Sequence, residues 1–392
     1  MSSFALDPDQ QRLIDEVRAI ARDHLAPIAE RGEPGRVNRP LVRALAEHGL
    51  LGRLFPSSAG GSAREGPSAM ELCLLREALA RESTEAETAL ALQGLGAFPI
   101  LQSGDEEVIR RFVTPVARGE GIAAFALTEP AHGSDAAALQ LLAERDGDGW
   151  RLTGEKTYIS NAPDADVYTV FARTTPDAGG KGVTAFAVTG DAAGLSGASI
   201  EMLAPHVIGS LRFDGVRVEG DCVLGEVDRG FRVALRTLDL FRPSVGAFAV
   251  GMAWAALDAA TAHAAERRSF DRPLRDHQAV SHLLAEMAAR TEAARMLVYS
   301  AAGAVDRGDA DVSKRSAMAK LVATETAQWV VDAAMQVHGA RGLERGHLLE
   351  RLYREVRAPR IYEGTSEIQR EIIARELYRG GETRPGGPTV PP

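Results

Sequence analysis

The spacing of apolar residues along this chain changes period twice. From Asp7 to about Gly119 it is helical. Leu13, Ile14, Val17, Ile20 and Ala21 recur between charges, behind Pro8, which sits where a helix's first turn tolerates a missing N–H. Leu41, Leu45 and Leu50 mark a second helix ending near Gly49. Another runs from about Pro67 through Ala80, and after an interruption at Ser103-Gly104-Asp105 a helix continues from Glu106 to Ala117. At Gly121 the texture becomes that of strands. Ile122 to Leu127 is short and apolar, Trp150-Arg151-Leu152-Thr153 alternates, and Val167–Phe171 and Val183–Val188 are rich in β-branched and aromatic residues. Gly and Asp punctuate these runs, as at Asp146-Gly147-Asp148-Gly149, and Leu211 to Val218 alternates around Asp214-Gly215. From Gly230 the helical period returns in three long stretches, Val245–Arg267, Gln278–Asp306 and Val312–Gly339, whose Ala-rich faces predict a bundle continuing across a subunit interface.

Helices, then strands, then helices predict an α+β protein. We expect a helical domain at 1–120, a small antiparallel β-domain at 121–230, a helical bundle at 231–380, and a disordered Gly- and Pro-rich tail at 381–392. No internal repeat is evident. A length of 392 residues fits two to three domains of about 100–200 residues each. The composition, 45% hydrophobic and 25% charged, is that of an ordinary globular protein.

A net charge of −9 argues against a nucleic-acid partner, since short basic clusters such as Arg267-Arg268 lie among acidic residues. Cys73 and Cys222 belong to no CxxC pair and read as buried small apolar residues. The acidic start, with Asp7 and Asp9, is not that of a signal peptide. The longest apolar run, Val245 to Leu257, is shorter than the ~20 residues a bilayer needs. We therefore expect a soluble, cytoplasmic protein without a membrane partner. The chain carries no GxGxxG after a strand, no GxxxxGK[ST], no HExxH, no Cys/His cluster and no GxSxG. No metal is expected, and an organic cofactor held outside a Rossmann fold is the open option.

Six segments carry chemistry. Thr128-Glu129-Pro130-Ala131-His132-Gly133-Ser134-Asp135 follows the first strand. Gly133 permits close backbone approach and Ser134 can cap or bind an oxygen, although composition alone gives a plain turn. Gly154-Glu155-Lys156-Thr157-Tyr158-Ile159-Ser160-Asn161 reads as a strand in which Tyr158 is a packing residue. Leu238-Asp239-Leu240-Phe241-Arg242-Pro243 opens the first long helix with a charge pair that an exposed helix start also explains. Glu266-Arg267-Arg268-Ser269-Phe270 carries guanidinium forks able to pair two oxygens. Gln336-Val337-His338-Gly339-Ala340-Arg341-Gly342 is a loop in which His338 reads as packing. The chain then reaches Ile361-Tyr362-Glu363-Gly364-Thr365-Ser366-Glu367-Ile368-Gln369-Arg370, a carboxylate on a glycine turn ahead of hydroxyls and an amphipathic helix.

In this order, these segments resemble the acyl-CoA dehydrogenase family from about Leu6 to Tyr378. The resemblance implies FAD as cofactor and a C-terminal four-helix bundle. It places Phe125, Leu127, Thr128, Gly133, Ser134, Tyr158 and Ser160 against the flavin, with Tyr158 where a Trp is usual. Arg267, Phe270, Gln278, Gln336 and Gly339 would serve FAD held by a neighbouring subunit, and Thr365 and Glu367 would also contact cofactor. Asp271 and Ala340 stand where Gly is usual; the methyl of Ala340 is tolerable at negative φ. Ser134, Asp239, Arg242 and Gly364 would meet the acyl-CoA.

Glu363 would be the base that takes the α-proton of the thioester while the β-hydride passes to flavin N5. The developing enolate needs hydrogen bonds, implied from the Glu363 N–H and the cofactor's ribityl chain. Burial under substrate should raise the Glu363 pKa. Phe241 occupies the position from which some relatives supply the base, and it cannot do so. The stretch 86–99 lacks the arginine of decarboxylating relatives, which predicts simple α,β-desaturation. The expected partners are an electron-transferring flavoprotein and further copies of the chain, in a homotetramer. An acyl group on a carrier protein, a flavin oxidase using O₂ and a non-catalytic acyl-CoA-binding homologue are the alternatives. The loop Met202–Ser210 lacks the usual Lys-x-Gly-x-Arg pattern, which leaves room for a different carrier. His132, at a normally small position, narrows the pocket, binds a polar acyl group or faces solvent.

Overall fold

Asp7 caps the first helix, α1 (Pro8–Ile20), through a reciprocal box. Its Oδ1 accepts from the N–H of Asp9 and Gln10 at 2.9 and 2.8 Å, and Gln10 Oε1 accepts from the Asp7 N–H at 3.0 Å. This is an element of the computed structural model of the chain, which describes residues 6–64 and 66–379; the tail expected at 381–392 lies outside them. Helix α2 (Arg39–Glu47) starts at the Asn38 cap, α3 (Ala69–Glu82) at the Ser68 cap and α4 (Thr84–Ser103) at the Ser83 cap. The third helix thus begins two residues later than the apolar spacing suggests, where the Ser68 hydroxyl accepts from the Glu71 N–H. The break at Ser103-Gly104-Asp105 is present, and Asp105 caps the helical turns after it.

The middle of the chain forms one sheet from β1 (Ala123–Ala126), β2 (Leu142–Asp146), β3 (Gly149–Ser160), β4 (Val167–Arg173), β5 (Val183–Thr189), β6 (Leu195–Ser199), β7 (Ile208–Val218) and β8 (Val223–Leu224). Its order is β6-β7-β3-β2-β4-β5-β8, with β1 paired on β4. Most pairs are antiparallel, as expected, but β1–β4 and β2–β4 are parallel, so the sheet is mixed. Strand β4 is buried along its whole length, which its unbroken Val-Tyr-Thr-Val-Phe run requires. Arg36 and Arg39 tie the N-terminal helices to the sheet through Asp164 and Asp166, each at 2.8 Å.

The long helices are α5 (Gly230–Glu266), α6 (Gln278–Arg307) and α7 (Val312–His338), followed by α8 (Leu348–Glu355) and α9 (Ser366–Arg379). Leu238–Pro243 does not open α5, as its sequence suggested, but lies inside it, with Pro243 in the helix interior. The ring removes one hydrogen bond there, and the helix continues through buried neighbours on both sides of it. An 18-residue window of α5 is apolar enough to cross a bilayer, yet 72% of it is buried within the protein, as in a core helix. Both cysteines are free and buried.

Helix α4 positions the start of the sheet. Gly96 lies flush on β1, where an added Cβ would stand 2.6 Å from the Ala124 nitrogen. The Thr169 hydroxyl donates to the Gly96 carbonyl at 2.8 Å, and Gln93 Oε1 accepts from the Ala123 N–H at 2.9 Å. We expect Gly96→Ala to lower stability by ~1–3 kcal/mol through this overpacking, read from the denaturant midpoint. An unchanged midpoint would show that the helix–strand contact has slack.

Candidate active site

Leu127 and Thr128, both half-buried, follow strand β1, and a buried ion pair fixes the turn they open. Lys156 Nζ donates to the Leu127 carbonyl at 2.9 Å and to Glu129 Oε1 at 2.8 Å, with Lys156 wholly buried. The Glu129 carboxylate also accepts from the N–H of Gln140 and Leu141 at 2.6 and 2.8 Å. Burial pushes the Glu129 carboxyl up, but Lys156 and these amides outweigh it and hold it below its ordinary value. Burial lowers Lys156 to about 8, against the pull of Glu129. The Thr157 N–H donates to the Thr128 carbonyl at 3.0 Å.

Just past that bond the β3–β7 register shifts, and Tyr158, at φ 55°, projects from the bulge 58% exposed. Ser160, half-buried, closes the strand, and Asn161 follows at φ 65° with its amide donating to the Ala123 carbonyl at 2.8 Å. Phe125 is half-buried against Phe171, ring centroids 5.0 Å apart; Gly133 and Ser134 are exposed. Phe125, Leu127, Thr128, Tyr158 and Ser160 thus lie along β1 and the last part of β3, which run side by side from the Thr157–Thr128 bond to the Asn161–Ala123 bond. His132 closes the turn by pairing its backbone with that of Glu129.

The second half of the site is the turn before α9. Glu363 has φ 53° and Gly364 φ 90°. The φ of Gly364 favours glycine, and a Cβ there would lie 2.7 Å from Gln369 Nε2 and push that amide aside. Three side chains donate to the two carbonyls of this turn. Lys320 Nζ bonds Gly364 O at 2.6 Å, Gln369 Nε2 bonds Gly364 O at 2.9 Å and Glu363 O at 3.3 Å, and Arg242 Nε reaches Glu363 O at 3.4 Å. The Ser366 hydroxyl donates to Glu325 Oε1 at 2.6 Å, while Thr365 Oγ1 accepts from the Ile368 N–H at the head of α9; Glu367 is exposed in its first turn. Asp239 pairs with Arg242 at 3.1 Å. Residue Glu363 is half-buried, but its Oε2 is sealed from solvent and accepts no hydrogen bond. Burial raises its pKa, and Arg76, Lys320 and Arg242 pull it back only in part.

Helix α4 walls both halves. Its Glu87 forms a buried ion pair with Arg76, which also donates to the Ser244 hydroxyl at 2.7 Å and faces Tyr362 and Glu363. Nine residues on, about 14 Å along the axis, Gly96 meets β1. Between them the Phe241 ring packs on Gly94 and edge-on against Phe98. On the far side, His206 of the Met202–Ser210 loop turns inward, its Nδ1 3.4 Å from Glu355 Oε2.

Arg267, Phe270, Gln278, Gln336 and Gly339 lie elsewhere. Arg267 follows the end of α5, and the Arg268–Ser269 and Arg272–Pro273 strands make a hairpin whose turn residues, Phe270 and Asp271, have φ 49° and 62°. Phe270 is 88% exposed. Gln278 begins α6; Gln336 and Gly339, at φ 62°, end α7, and Ala340 keeps a negative φ. A His263–His338 stack, centroids 4.2 Å apart, joins the two groups into one exposed patch. Among the described residues no hydrogen bond or ion pair joins that patch to the Thr128–Ser134 turn.

Three family profiles match the chain in succession: acyl-CoA dehydrogenase N-terminal domain over residues 7–120, middle domain over 124–216 and C-terminal domain over 228–378. The chain belongs to the acyl-CoA dehydrogenase family. The probable acyl-CoA dehydrogenase FadE25 of Mycobacterium tuberculosis is 36% identical over 96% of this chain and 97% of its own. The caffeyl-CoA reductase-Etf complex subunit CarC of Acetobacterium woodii is 35% identical over 93% and 97%. Among solved structures, butyryl-CoA dehydrogenase from Megasphaera elsdenii superposes with a TM-score of 0.91 at 33% identity, covering 96% of this chain and all of that one. PigA with FAD and proline gives 0.91 at 27%, covering 96% and 99%.

The protein is thus an oxidoreductase of an FAD-dependent family. Its residues suit that cofactor. A strained, exposed Tyr158 beside half-buried Leu127, Thr128 and Ser160 offers a face to a planar ring, and an orphaned buried carboxylate points to a ligand that completes its surroundings. Sequence reasoning assigned no role to Lys156, Glu129 or Gln369, although it quoted them, and passed over Arg76, Glu87 and Lys320. The signal for these last was a charge on an otherwise apolar helix face, as with Lys320 among Ala317, Ala319 and Ala323.

Lys156→Met would strand the Glu129 carboxylate. We expect ~3–5 kcal/mol lost from the unfolding free energy and a lower FAD content, with Glu129→Gln added to it restoring part of both. Full stability and FAD occupancy in Lys156→Met would show that the pair does not hold the turn.

Proposed function

We propose that this acyl-CoA dehydrogenase desaturates an acyl-CoA thioester between its α- and β-carbons, with Glu363 as the base. The observation that carries this reading is the Glu363 carboxyl itself: sealed from solvent at Oε2, unpartnered, raised in pKa and held in a strained turn. A carboxyl in that state gains basicity over an exposed one, and the neighbouring cations limit the gain so that the ionised form remains accessible. Phe241 lines the same wall and has no group to exchange a proton.

Glu363 takes the α-proton onto its carboxylate, and its own N–H supports the thioester oxygen as charge develops there. FAD, when bound, accepts the two electrons that leave with the β-hydrogen. Thr128, Ser160 and Tyr158 orient that cofactor, while Ser134, Asp239, Arg242 and Gly364 meet the acyl-CoA. An arginine does reach Glu363, from α3 rather than from stretch 86–99. Glu87 neutralises Arg76, which leaves it no free charge for a substrate carboxylate and supports desaturation without decarboxylation.

The exposed Phe270 and the Arg267–Gly339 patch are best explained by a second copy of the chain, whose FAD they would contact, in a homo-oligomer. CarC, the similar protein of Acetobacterium woodii, is a subunit of a caffeyl-CoA reductase-Etf complex, which supports an electron-transferring flavoprotein as the acceptor.

Glu363→Gln should purify with FAD and bind acyl-CoA, yet flavin reduction under anaerobic conditions should fall by about 10³-fold or more. Near-normal reduction would refute the assignment. In the wild type the reduction rate should decline toward acid pH through a midpoint above that of an ordinary glutamate, because the base must be ionised to act. A rate constant down to pH values where exposed glutamates protonate would contradict it.

A further inference from the structure

Lys320 is the buried cation beside Glu363 to which nothing so far assigns a part. It lies on α7 between Ala317, Ala319 and Ala323, all buried, and its own exposure is 0%. Its Nζ donates to the Gly364 carbonyl at 2.6 Å, beside the Gln369 amide at 2.9 Å. The charged groups facing it are Glu363, Arg242, Glu325 and Glu367. Glu325 is itself engaged, by Arg360 at 2.8 Å and by the Ser366 hydroxyl. Arg242 is engaged by Asp239. Glu367 is exposed and pairs with Arg370 at 3.6 Å, which leaves Glu363 as the buried carboxylate whose Oε2 accepts no hydrogen bond.

A neutral amide holds the same carbonyl from the other side, so a hydrogen bond to Gly364 does not by itself call for a lysine. Placing an ammonium in an apolar helix face is costly unless an anion answers it. We propose that Lys320 is a positioning residue for the base: its hydrogen bond fixes the Glu363–Gly364 turn, and its charge sets how readily the Glu363 carboxyl ionises. This rests on Glu363 being the base. Arg76, Lys320 and Arg242 all face Glu363 and favour its ionised form, and among the described residues Lys320 is the one of the three with no carboxylate partner of its own, so its charge helps keep the base competent at a pH where burial alone would leave it protonated. When Glu363 takes up a proton the ammonium loses its counter-charge, so the two groups titrate as a coupled pair. Burial brings Lys320 down to about 8 with Glu363 opposing, and burial raises Glu363 above an ordinary glutamate.

The test compares holoenzyme variants Lys320→Met, Lys320→Gln and Lys320→Arg by two readouts. The first is the pH profile of flavin reduction by an acyl-CoA. The second is the infrared carboxyl band of Glu363 titrated with pH and assigned by its disappearance in Glu363→Gln. We expect the acid limb and the infrared midpoint of the Met and Gln variants to move up by about one unit or more, since an opposite charge has been withdrawn. The Arg variant should stay near the wild type. Met and Gln profiles coincident with the wild type, in protein that retains FAD and a normal melting transition, would overturn the proposal and leave Lys320 a structural donor. If Lys320→Met does not accumulate as holoenzyme, the contrast between Gln and Arg decides: equal midpoints overturn the proposal. A Glu363→Gln enzyme that still reduces its flavin would instead remove the reading on which the proposal stands.

Discussion

A carboxylate can act as a base toward a weak carbon acid only if the backbone beneath it is held still while its own oxygen stays free. The Glu363–Gly364 turn meets both demands. Positive φ at a glutamate costs on the order of 1–3 kcal/mol and persists only where the surroundings over-determine it. Here Lys320, Gln369 and Arg242 all donate to the two carbonyls of the turn, and none of them donates to Oε2. The hydrogen bonds go to the main chain, and the side chain is left for the substrate.

The same device recurs at the other end of the site. Lys156 donates to the Leu127 carbonyl as Lys320 does to that of Gly364. Both lysines are wholly buried and both are lowered to about 8. The difference is in the counter-charge: Glu129 is fully engaged by two backbone amides besides Lys156, whereas Glu363 Oε2 accepts no hydrogen bond. One pair is a fastening; the other is poised. Strain is distributed to match. Of the seven non-glycine residues at positive φ among the described residues, Tyr158, Asn161, Phe270 and Glu363 lie in the segments that sequence reading singled out for chemistry, and Asp271 directly follows one of them.

Much of this was legible in the sequence because local pattern carried it. The change from helical to alternating spacing at Gly121 marks where helices give way to the sheet, and the Glu-Gly-Thr-Ser run marks the turn at residue 363. The start of α5 was missed because Pro243 reads as a boundary, while burial on all sides keeps the helix continuous through it. The parallel pairing of β1 was missed because pairing partners are tertiary facts: Ala123–Ala126 meets Val167–Val170 across more than forty residues. Lys320, Arg76 and Glu87 were missed for a related reason. Each belongs to a different helix, and their meaning is their meeting around Glu363, which spacing within any one helix does not encode.

The most direct measurement is solvent exchange at the α-carbon of a bound thioester whose β-position is sulfur, so that no hydride can leave. Incubated in D₂O, the wild-type holoenzyme should wash deuterium into the α-position of such an acyl-CoA, and Glu363→Gln, binding it equally, should not. Exchange that persists undiminished in Glu363→Gln would place the base elsewhere and contradict the account.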